Sequence, residues 1–290
     1  MQSRRDVLRL ATAVPAIAAP FLNLGRASAA AKIDSKINGV MIGAQSYSFR
    51  DRGFDEMIQA MSTVGLGYCE LWSGHIEPKG DQKVKEAWRK NPPWDEFPKF
   101  RKKFDEAGIN LYAVNISFRD SWSDLEIENG IKMAKALGID KITASSNVST
   151  AARVDPFAKK HKVYVGMHNH SNIRPNEFAT PENFEEAMKG KSKYIVVNLD
   201  IGHFTAANFD AVDYITKNHS KIVTLHLKDR GRNQGANVEF GKGQTPIKDV
   251  LQLLKTKKYK IPANIEYEYR GADTVAEVKK SFEYCKSLLA

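Results

Sequence analysis

Cysteine is scarce in this sequence: only Cys69 and Cys285 occur among 290 residues. A chain of this length can bury a large core without disulfides. Cys69 lies in a predicted strand and Cys285 in the last predicted helix, so we expect two separate buried thiols rather than a bridge. Such a count is compatible with export through an oxidising compartment but does not require it.

Long apolar runs are also missing. The longest, from residue 10 to residue 24, is shorter than the about 20 residues of a membrane-spanning helix and is rich in alanine and proline. It follows the motif SRRDVLR, which resembles a twin-arginine export signal, and precedes Ala27-Ser28-Ala29, a small-x-small cleavage pattern. We therefore expect a signal peptide over 1–29, a mature domain over 30–290, and a periplasmic or secreted protein without stable membrane insertion. A membrane anchor is the alternative.

No focused basic patch accompanies the formal net charge of +10. The first 29 residues hold four arginines and one aspartate, which leaves +7 on the remainder. Lysines are scattered through helical stretches such as KFRKKFDEAG and KTKKYK, as on solvated helix faces. Nucleic-acid binding requires a concentrated patch, so a nucleic-acid partner is not expected. An oligomer remains possible.

The sequence after residue 29 alternates short apolar runs with amphipathic stretches about eight times. This alternation predicts a parallel sheet with right-handed crossovers, and its 261 residues are close to the about 250 of a TIM barrel. An open dinucleotide-binding sheet would carry a glycine-rich turn after its first strand, and AQSYSFRDRG is not such a turn. We therefore predict an α/β fold with one (β/α)8 barrel domain. The predicted strands are 40–48, 68–74, 110–117, 140–146, 162–170, 194–202, 222–229 and 263–269.

Helices are predicted between these strands, several of them ending at a glycine. The weakest is 149–161, because Pro156 falls inside it. The others are 54–65, 94–108, 125–138, 182–190, 209–218, 247–258 and 275–289.

Residues able to bind metal gather at the predicted carboxyl ends of strands five to eight, where barrel enzymes place their active sites. Side chains two apart on a strand share a face. If the first of each pair points into the barrel mouth, two imidazoles and two carboxylates converge. This set favours one Mn, Zn, Co or Fe(II) ion over Ca or Mg, and a hydrogen-bonded network without metal is the alternative. The four candidate ligands are His168, Asp200, His226 and Glu266.

Four motifs in this region, NLDIGH, HLKDR, FGKGQTPIKDVLQLL and NIEYE, resemble those of the xylose-isomerase-like TIM barrels, also called sugar phosphate isomerases/epimerases. The resemblance implies one metal on the same four residues. It also implies that His203 contacts substrate and that Glu70 and His75 line the pocket.

One departure concerns His168. Ketose epimerases of this group carry a glutamate there, paired with the strand-eight glutamate as acid and base, and His168 places that two-carboxylate mechanism in doubt. His170, Glu70 or Lys228 would then take the missing role. Apurinic endonucleases with this barrel hold three zinc ions on extra histidines that this sequence lacks after predicted strands three and four, so a trinuclear phosphodiesterase is not expected.

The expected activity is metal-dependent isomerisation or epimerisation of a small, non-phosphorylated carbohydrate by proton abstraction next to a carbonyl. A lyase that eliminates from 3-keto-glycosides and a non-catalytic periplasmic carbohydrate-binding protein are the alternatives. The predicted catalytic residues are Glu266, His170 and His203. The predicted substrate-binding residues are Glu70, Trp72, His75, Asn115, Lys228 and Arg270.

Overall fold

The structure, a computed structural model, describes residues 31–290. The predicted signal peptide lies outside the described residues. Within 31–290, no helix is both long and apolar enough to cross a membrane.

Eight parallel strands form a closed barrel. Consecutive strands pair along the chain, and β1 pairs with both β2 and β8, which closes the sheet. Two short antiparallel additions, Lys36–Ile37 on β1 and Asp229–Arg230 with Asn237–Val238, lie outside the barrel. The barrel strands are β1 Val40–Gln45, β2 Tyr68–Trp72, β3 Asn110–Asn115, β4 Lys141–Ala144, β5 Tyr164–His168, β6 Ile195–Asp200, β7 Ile222–Leu227 and β8 Ala263–Ile265.

Ten helices surround the barrel among the described residues. The apolar faces of most of them pack on the outside of the sheet, where side chains such as Phe97, Phe104 and Phe184 are fully buried. The helices are α1 Phe54–Val64, α2 Gln82–Lys90, α3 Phe97–Glu106, α4 Asp124–Ala136, α5 Thr150–His161, α6 Pro181–Met188, α7 Ile201–Ala206, α8 Ala211–Asn218, α9 Ile247–Lys257 and α10 Thr274–Leu289. The predicted (β/α)8 fold is confirmed.

The helix α5 forms in full despite Pro156. An interior proline removes one backbone hydrogen bond and costs about 3 kcal/mol. Ala151, Val154 and Ala158 are nevertheless buried against the barrel. Packing of this face therefore outweighs the cost of the proline.

Two helices were not expected from the sequence. The helix α7 begins directly where β6 ends, inside the segment predicted as strand. The helix α2 lies in the long connection between β2 and α3, and Arg89 near its end binds Glu126 of α4 at 3.0 Å. Arg89 also lies over the ring of Trp122, with its guanidinium carbon 4.3 Å from the ring centroid. This buried pair holds α2 against α4.

Cys69 on β2 and Cys285 on α10 are both free and fully buried. The expectation of two separate buried thiols is confirmed.

Candidate metal centre

Four side chains converge at the carboxyl ends of the last four strands. His168 ends β5, Asp200 ends β6, His226 is the penultimate residue of β7, and Glu266 follows β8 directly. Backbone pairing sets Asp200 beside His226. One ligand atom from each of these four residues lies within 4.8 Å of the others, and all four residues are buried. The four belong to strands neighbouring in the barrel, so the sheet itself brings them together.

Each of these four residues has one buried atom without a hydrogen-bond partner: His168 Nε2, Asp200 Oδ2, His226 Nδ1 and Glu266 Oε2. Buried polar atoms in folded proteins nearly always have partners. These four are among nine such side-chain atoms in residues 31–290. Two imidazoles and two carboxylates form a donor set for a divalent transition metal. The group is therefore consistent with a divalent metal site, and we call it the metal group.

Glu70 lies beneath the metal group rather than in the cavity. Its two oxygens lie 3.0 and 2.9 Å from His226 Nε2. It also accepts hydrogen bonds from the side chains of Gln45, Thr143 and Asn264, at 2.7, 2.5 and 2.8 Å. When His226 donates its Nε2 proton to this carboxylate, its Nδ1 lone pair faces the metal group. Glu70 was expected to bind substrate, but it is fully buried and instead orients a metal-group histidine.

Asp200 uses its two carboxylate oxygens differently. Its Oδ1 accepts the backbone N–H of His203 at 2.7 Å and caps the start of α7, while Oδ2 faces the metal group. Asn169 fixes the Asp200 backbone through two hydrogen bonds of 3.1 and 2.9 Å. A side chain on Gly202 would lie 2.4 Å from the carbonyl oxygen of Lys228, so only glycine lets α7 begin this close to β7.

Lys228 places a buried ammonium between three carboxylates. Its Nζ lies 3.0 Å from Asp200 Oδ2, 3.0 Å from Glu266 Oε2 and 2.6 Å from Glu268 Oε2. The interaction is one of charge. Burial lowers the pKa of Lys228, but the three carboxylates outweigh burial and hold that pKa above its usual value.

The metal-group acids respond to the same cation. Burial raises the pKa of both Asp200 and Glu266, but Lys228 and the neighbouring histidines together outweigh it, and both pKa values lie below the usual range. His226 contributes to lowering the pKa of Glu266, and its Nδ1 lies 3.0 Å from Glu266 Oε2. Both carboxylates are therefore ionised at neutral pH, the state in which they bind metal.

His203 and His170 lie above the metal group. The Nδ1 of His203 lies 2.7 Å from the Arg230 guanidinium, and its Nε2 lies 3.0 Å from Lys228 Nζ. The ring of His170 lies 5.1 Å from that of His168 and 5.4 Å from that of His203. Burial, followed by the charge of His168, lowers the pKa of His170 to about 4. Both imidazoles line the cavity described next.

A cavity of 330 Å³ opens above the metal group. The expected residues Trp72, Asn115 and Lys228 line it, whereas His75 and Arg270 do not. His75 packs edge-on against Trp72 at 5.3 Å and lines a neighbouring cleft, and Arg270 is exposed on the rim beyond β8. The lining residues that sequence reasoning left out of the site are Gln45, Tyr47, Ser117, Arg119, Ser145 and Glu268.

Most of these additional lining residues lie at or just after the ends of β1, β3 and β4. The position of a residue at a strand end could have identified them. Their side-chain types did not, because amide, hydroxyl and phenol groups are common on loops.

Comparison with known proteins agrees with this architecture. Residues 58–288 match the family described as xylose isomerase-like TIM barrel. Among solved structures, the chain is similar to an uncharacterised protein from Parabacteroides distasonis, at 24% identity over 86% of this chain and 99% of that one, with a TM-score of 0.62. It is also similar to a sugar phosphate isomerase/epimerase from the same organism, at 18% identity over 85% of this chain and 95% of that one, with a TM-score of 0.61.

A third similar structure is the 3-keto-D-glucoside 4-epimerase from E. coli, at 11% identity over 86% of this chain and 99% of that one, with a TM-score of 0.65. At these identities the likeness shows a shared fold. No curated protein matches the chain significantly in sequence. The family match covers most of the chain, including every strand from β2 to β8 and all four residues of the metal group. The chain belongs to the xylose isomerase-like TIM barrel family.

Proposed function

We propose that this protein is a divalent-metal-dependent sugar isomerase or epimerase that removes a proton next to the carbonyl of a non-phosphorylated carbohydrate. The observation that carries this proposal is the convergence of four buried ligand atoms, from two imidazoles and two carboxylates, beneath a polar cavity. Cavities of about 300 Å³ or more accept small molecules, and this one is near that lower limit. Its size suits one sugar ring.

The site residues divide into those that hold the cation and those that handle the substrate. His168, Asp200, His226 and Glu266 would hold the divalent ion, which when bound polarises a carbonyl and stabilises negative charge on its oxygen. Glu266 is also the carboxylate best placed to accept the substrate proton, because it lines the cavity beside Lys228.

His170 and His203, which lie above the metal group, assist proton transfer. The ammonium of Lys228 binds a substrate hydroxyl or the developing oxyanion. Trp72 offers an aromatic face to the sugar ring, and Asn115 offers its amide to a hydroxyl.

The charge of the cavity supports a neutral substrate. Apart from histidines, Lys228 and Arg119 are the cations of the lining, and Lys228 is already neutralised by three carboxylates. Arg119 donates to the carbonyl oxygen of Ser145. The lining holds two cations and two carboxylates, so its side chains offer a phosphoryl group no excess of positive charge, whereas sugar hydroxyls would find both donors and acceptors.

A lyase acting on 3-keto-glycosides is the second candidate. It is favoured by the position of the two carboxylates that line the cavity: Glu266 and Glu268 both lie just after β8. The β5 position holds His168, so no carboxylate faces Glu266 from that side of the cavity lining. An epimerase that uses two opposed bases would need one, whereas elimination can use one base for both steps.

A binding protein with a structural metal is the third. Structural sites have closed coordination shells, whereas the metal group here lies open to a cavity, which supports an enzyme.

We also propose that residues 1–29 direct export by the twin-arginine route and are removed. Mass measurement of the chain recovered from the periplasm of an expressing bacterium tests this, and a chain that stays in the cytoplasm at full mass would contradict it.

The function is tested by incubating the metal-loaded protein with ketoses and 3-keto-glycosides in deuterated water. Incorporation of deuterium at the carbon next to the carbonyl, lost in Glu266→Gln, is the result expected for an isomerase or epimerase. Release of the aglycone with an unsaturated sugar identifies the lyase. Sugar binding without exchange or release identifies a binding protein. His219→Ala is the matched control, since His219 stacks on Tyr259 away from the cavity lining.

A further inference from the structure

A second cleft, of 690 Å³, lies beside the reaction cavity between the loops that follow β7 and β8. Glu268 lines both the cavity and the cleft. We call it the β7–β8 cleft. Its side chains that matter here are Asn237, Glu239, Lys242, Glu268, Tyr269 and Arg270.

Both walls of this cleft start at the metal group. One wall continues the chain from His226 through Lys228 into residues 236–242, and the other runs from Glu266 to residue 271. A ligand seated over Glu266 and Lys228 therefore has the cleft directly beside it, on the far side of Glu268. The arrangement connects the reacting position to a larger space.

The wall formed by the β7 loop is held together by hydrogen bonds. Asp229, which is buried, accepts the backbone N–H groups of Gly241, Gly243 and Thr245 at 2.8, 3.0 and 3.2 Å. Arg230 donates two hydrogen bonds to the carbonyl oxygen of Gly235, at 2.9 and 2.8 Å. A wall held in place before binding pays less conformational entropy when a ligand arrives. The cleft is thus preformed on this side.

Its chemistry suits a neutral ligand with many hydroxyls. Glu239 and Lys242 pair at 2.8 Å, and Tyr269 donates to Glu277 at 2.7 Å. Arg270 is exposed on the cleft and has no hydrogen bond or ion pair within residues 31–290. With three carboxylates against two cations, the lining offers a phosphate no excess of positive charge. Its donors and acceptors match sugar hydroxyls.

We infer that the substrate has two sugar rings, with the reacting ring over the metal group and the second ring in the β7–β8 cleft. This inference rests on the proposed function and narrows its substrate class to glycosides of the disaccharide type. The reaction cavity accommodates one ring, and the cleft next to it supplies the volume and the polar groups for the other. Arg270, which lies outside the reaction cavity, is then a contact of the second ring.

A rival cleft of 730 Å³ lies beyond Trp72 and is lined by His75. Its walls come from the loops after β1 and β2, and it meets the reaction cavity at Trp72, whereas the β7–β8 cleft meets the cavity at Glu268, two residues from Glu266 of the metal group. It is also richer in cations, with Arg50, Arg52, Lys79 and Lys85 in the lining. The β7–β8 cleft is therefore the better candidate for a ring joined to the reacting sugar.

Calorimetric binding to the metal-loaded protein tests this. The ligands are maltose, cellobiose, trehalose and sucrose, compared with glucose and fructose. We expect at least one disaccharide to bind at least about tenfold more tightly than either monosaccharide, and Arg270→Ala to remove most of that advantage. Asn237→Ala is the second variant on the same cleft. Arg174→Ala, an exposed arginine that lines neither the cavity nor either cleft, is the matched control and keeps the advantage.

Two results would overturn the inference. In the first, no disaccharide binds more tightly than the monosaccharides. In the second, the tighter binding of the disaccharide survives in both cleft variants but is lost in His75→Ala, which would place the second ring beyond Trp72. Melting temperatures of the variants show that each is folded. Turnover of a monosaccharide without any disaccharide advantage would leave the proposed function standing and reject the second ring. Tight disaccharide binding without deuterium exchange or elimination would support the second ring and reject the proposed function.

Discussion

Glu70 and His226 form a carboxylate–imidazole pair at the floor of the barrel mouth, with both Glu70 oxygens within 3.0 Å of His226 Nε2. The pair determines which imidazole nitrogen faces the metal group. A residue from β2 thereby sets the chemistry of a residue on β7, across the barrel interior.

Glu70→Gln is expected to weaken divalent metal binding by about 10- to 100-fold, because the amide accepts the His226 proton less strongly and can also present a donor to it. Competition of the protein with a chromogenic chelator for zinc measures the change. Glu128→Gln, which removes a carboxylate paired with Lys160 and His161 on the outer helices, is the matched control. Equal affinities in the wild type and Glu70→Gln would show that the pair does not orient a ligand.

Removing a residue of the metal group is expected to empty the site. Elemental analysis should find about one transition metal per chain in the wild type and almost none in His168→Ala or Asp200→Ala, since such sites need their full set of ligands. His219→Ala should retain the ion. Full occupancy in both site variants would show that the metal binds elsewhere. Absence of metal from the wild type after reconstitution would contradict the proposed mechanism.

Lys228→Met is expected to destabilise the metal-free protein by about 3 kcal/mol, because three carboxylates lose their common cation in a buried setting. The same change should make added metal more stabilising than it is in the wild type, since the ion then supplies the missing positive charge. Urea unfolding with and without metal measures both effects. Lys217→Met, at an exposed pair with Asp213, should change neither, and a similar loss there would point to a general effect of removing lysine.

Glu126 provides a pH-dependent contribution to stability far from the metal group. Burial raises the pKa of Glu126, but hydrogen bonds from Ser123 and Arg89 outweigh it and leave that pKa below its usual value. The folded state therefore binds fewer protons than the unfolded state as the pH falls through this region. The stabilisation is complete above the unfolded pKa and is lost as the pH falls through the folded one.

Glu126→Gln should accordingly cost stability at pH 7, and the difference from the wild type should shrink as the pH is lowered below about 4.5. Urea unfolding of the metal-free proteins over this range tests it. Glu86→Gln, at the exposed pair with Lys90, is the control on the neighbouring helix. A difference that stays constant with pH would mean that the carboxylate charge of Glu126 does not contribute.

The sequence was most informative where periodicity and strand ends coincide. All eight strands were expected in order, because valine, isoleucine and tyrosine runs alternate with amphipathic stretches. The two-residue period of β-strands grouped the candidate ligands at four consecutive strand ends. The condition that the first residue of each pair points into the barrel mouth, together with the family resemblance, then selected the four members of the metal group.

Other features depend on contacts that local pattern does not encode. Glu70 was predicted from the sequence to line the pocket. In the structure it accepts hydrogen bonds from Gln45, Thr143 and Asn264 and lies below the cavity. Arg270 follows β8 closely but lies on the rim. The helix α2 has few apolar residues, and its packing relies on a buried arginine that a hydrophobic pattern does not reveal.

The origin of the metal group on β5 to β8 has a mechanical consequence. Its members are separated along the chain by 32, 26 and 40 residues. An ion bound to all four would act as a cross-link that closes three long loops of the polypeptide at one point, in the manner of a branched disulfide. Amide hydrogen exchange should then slow on metal addition throughout the half of the barrel from β5 to β8. The half from β1 to β4, which supplies no ligand, would exchange as before.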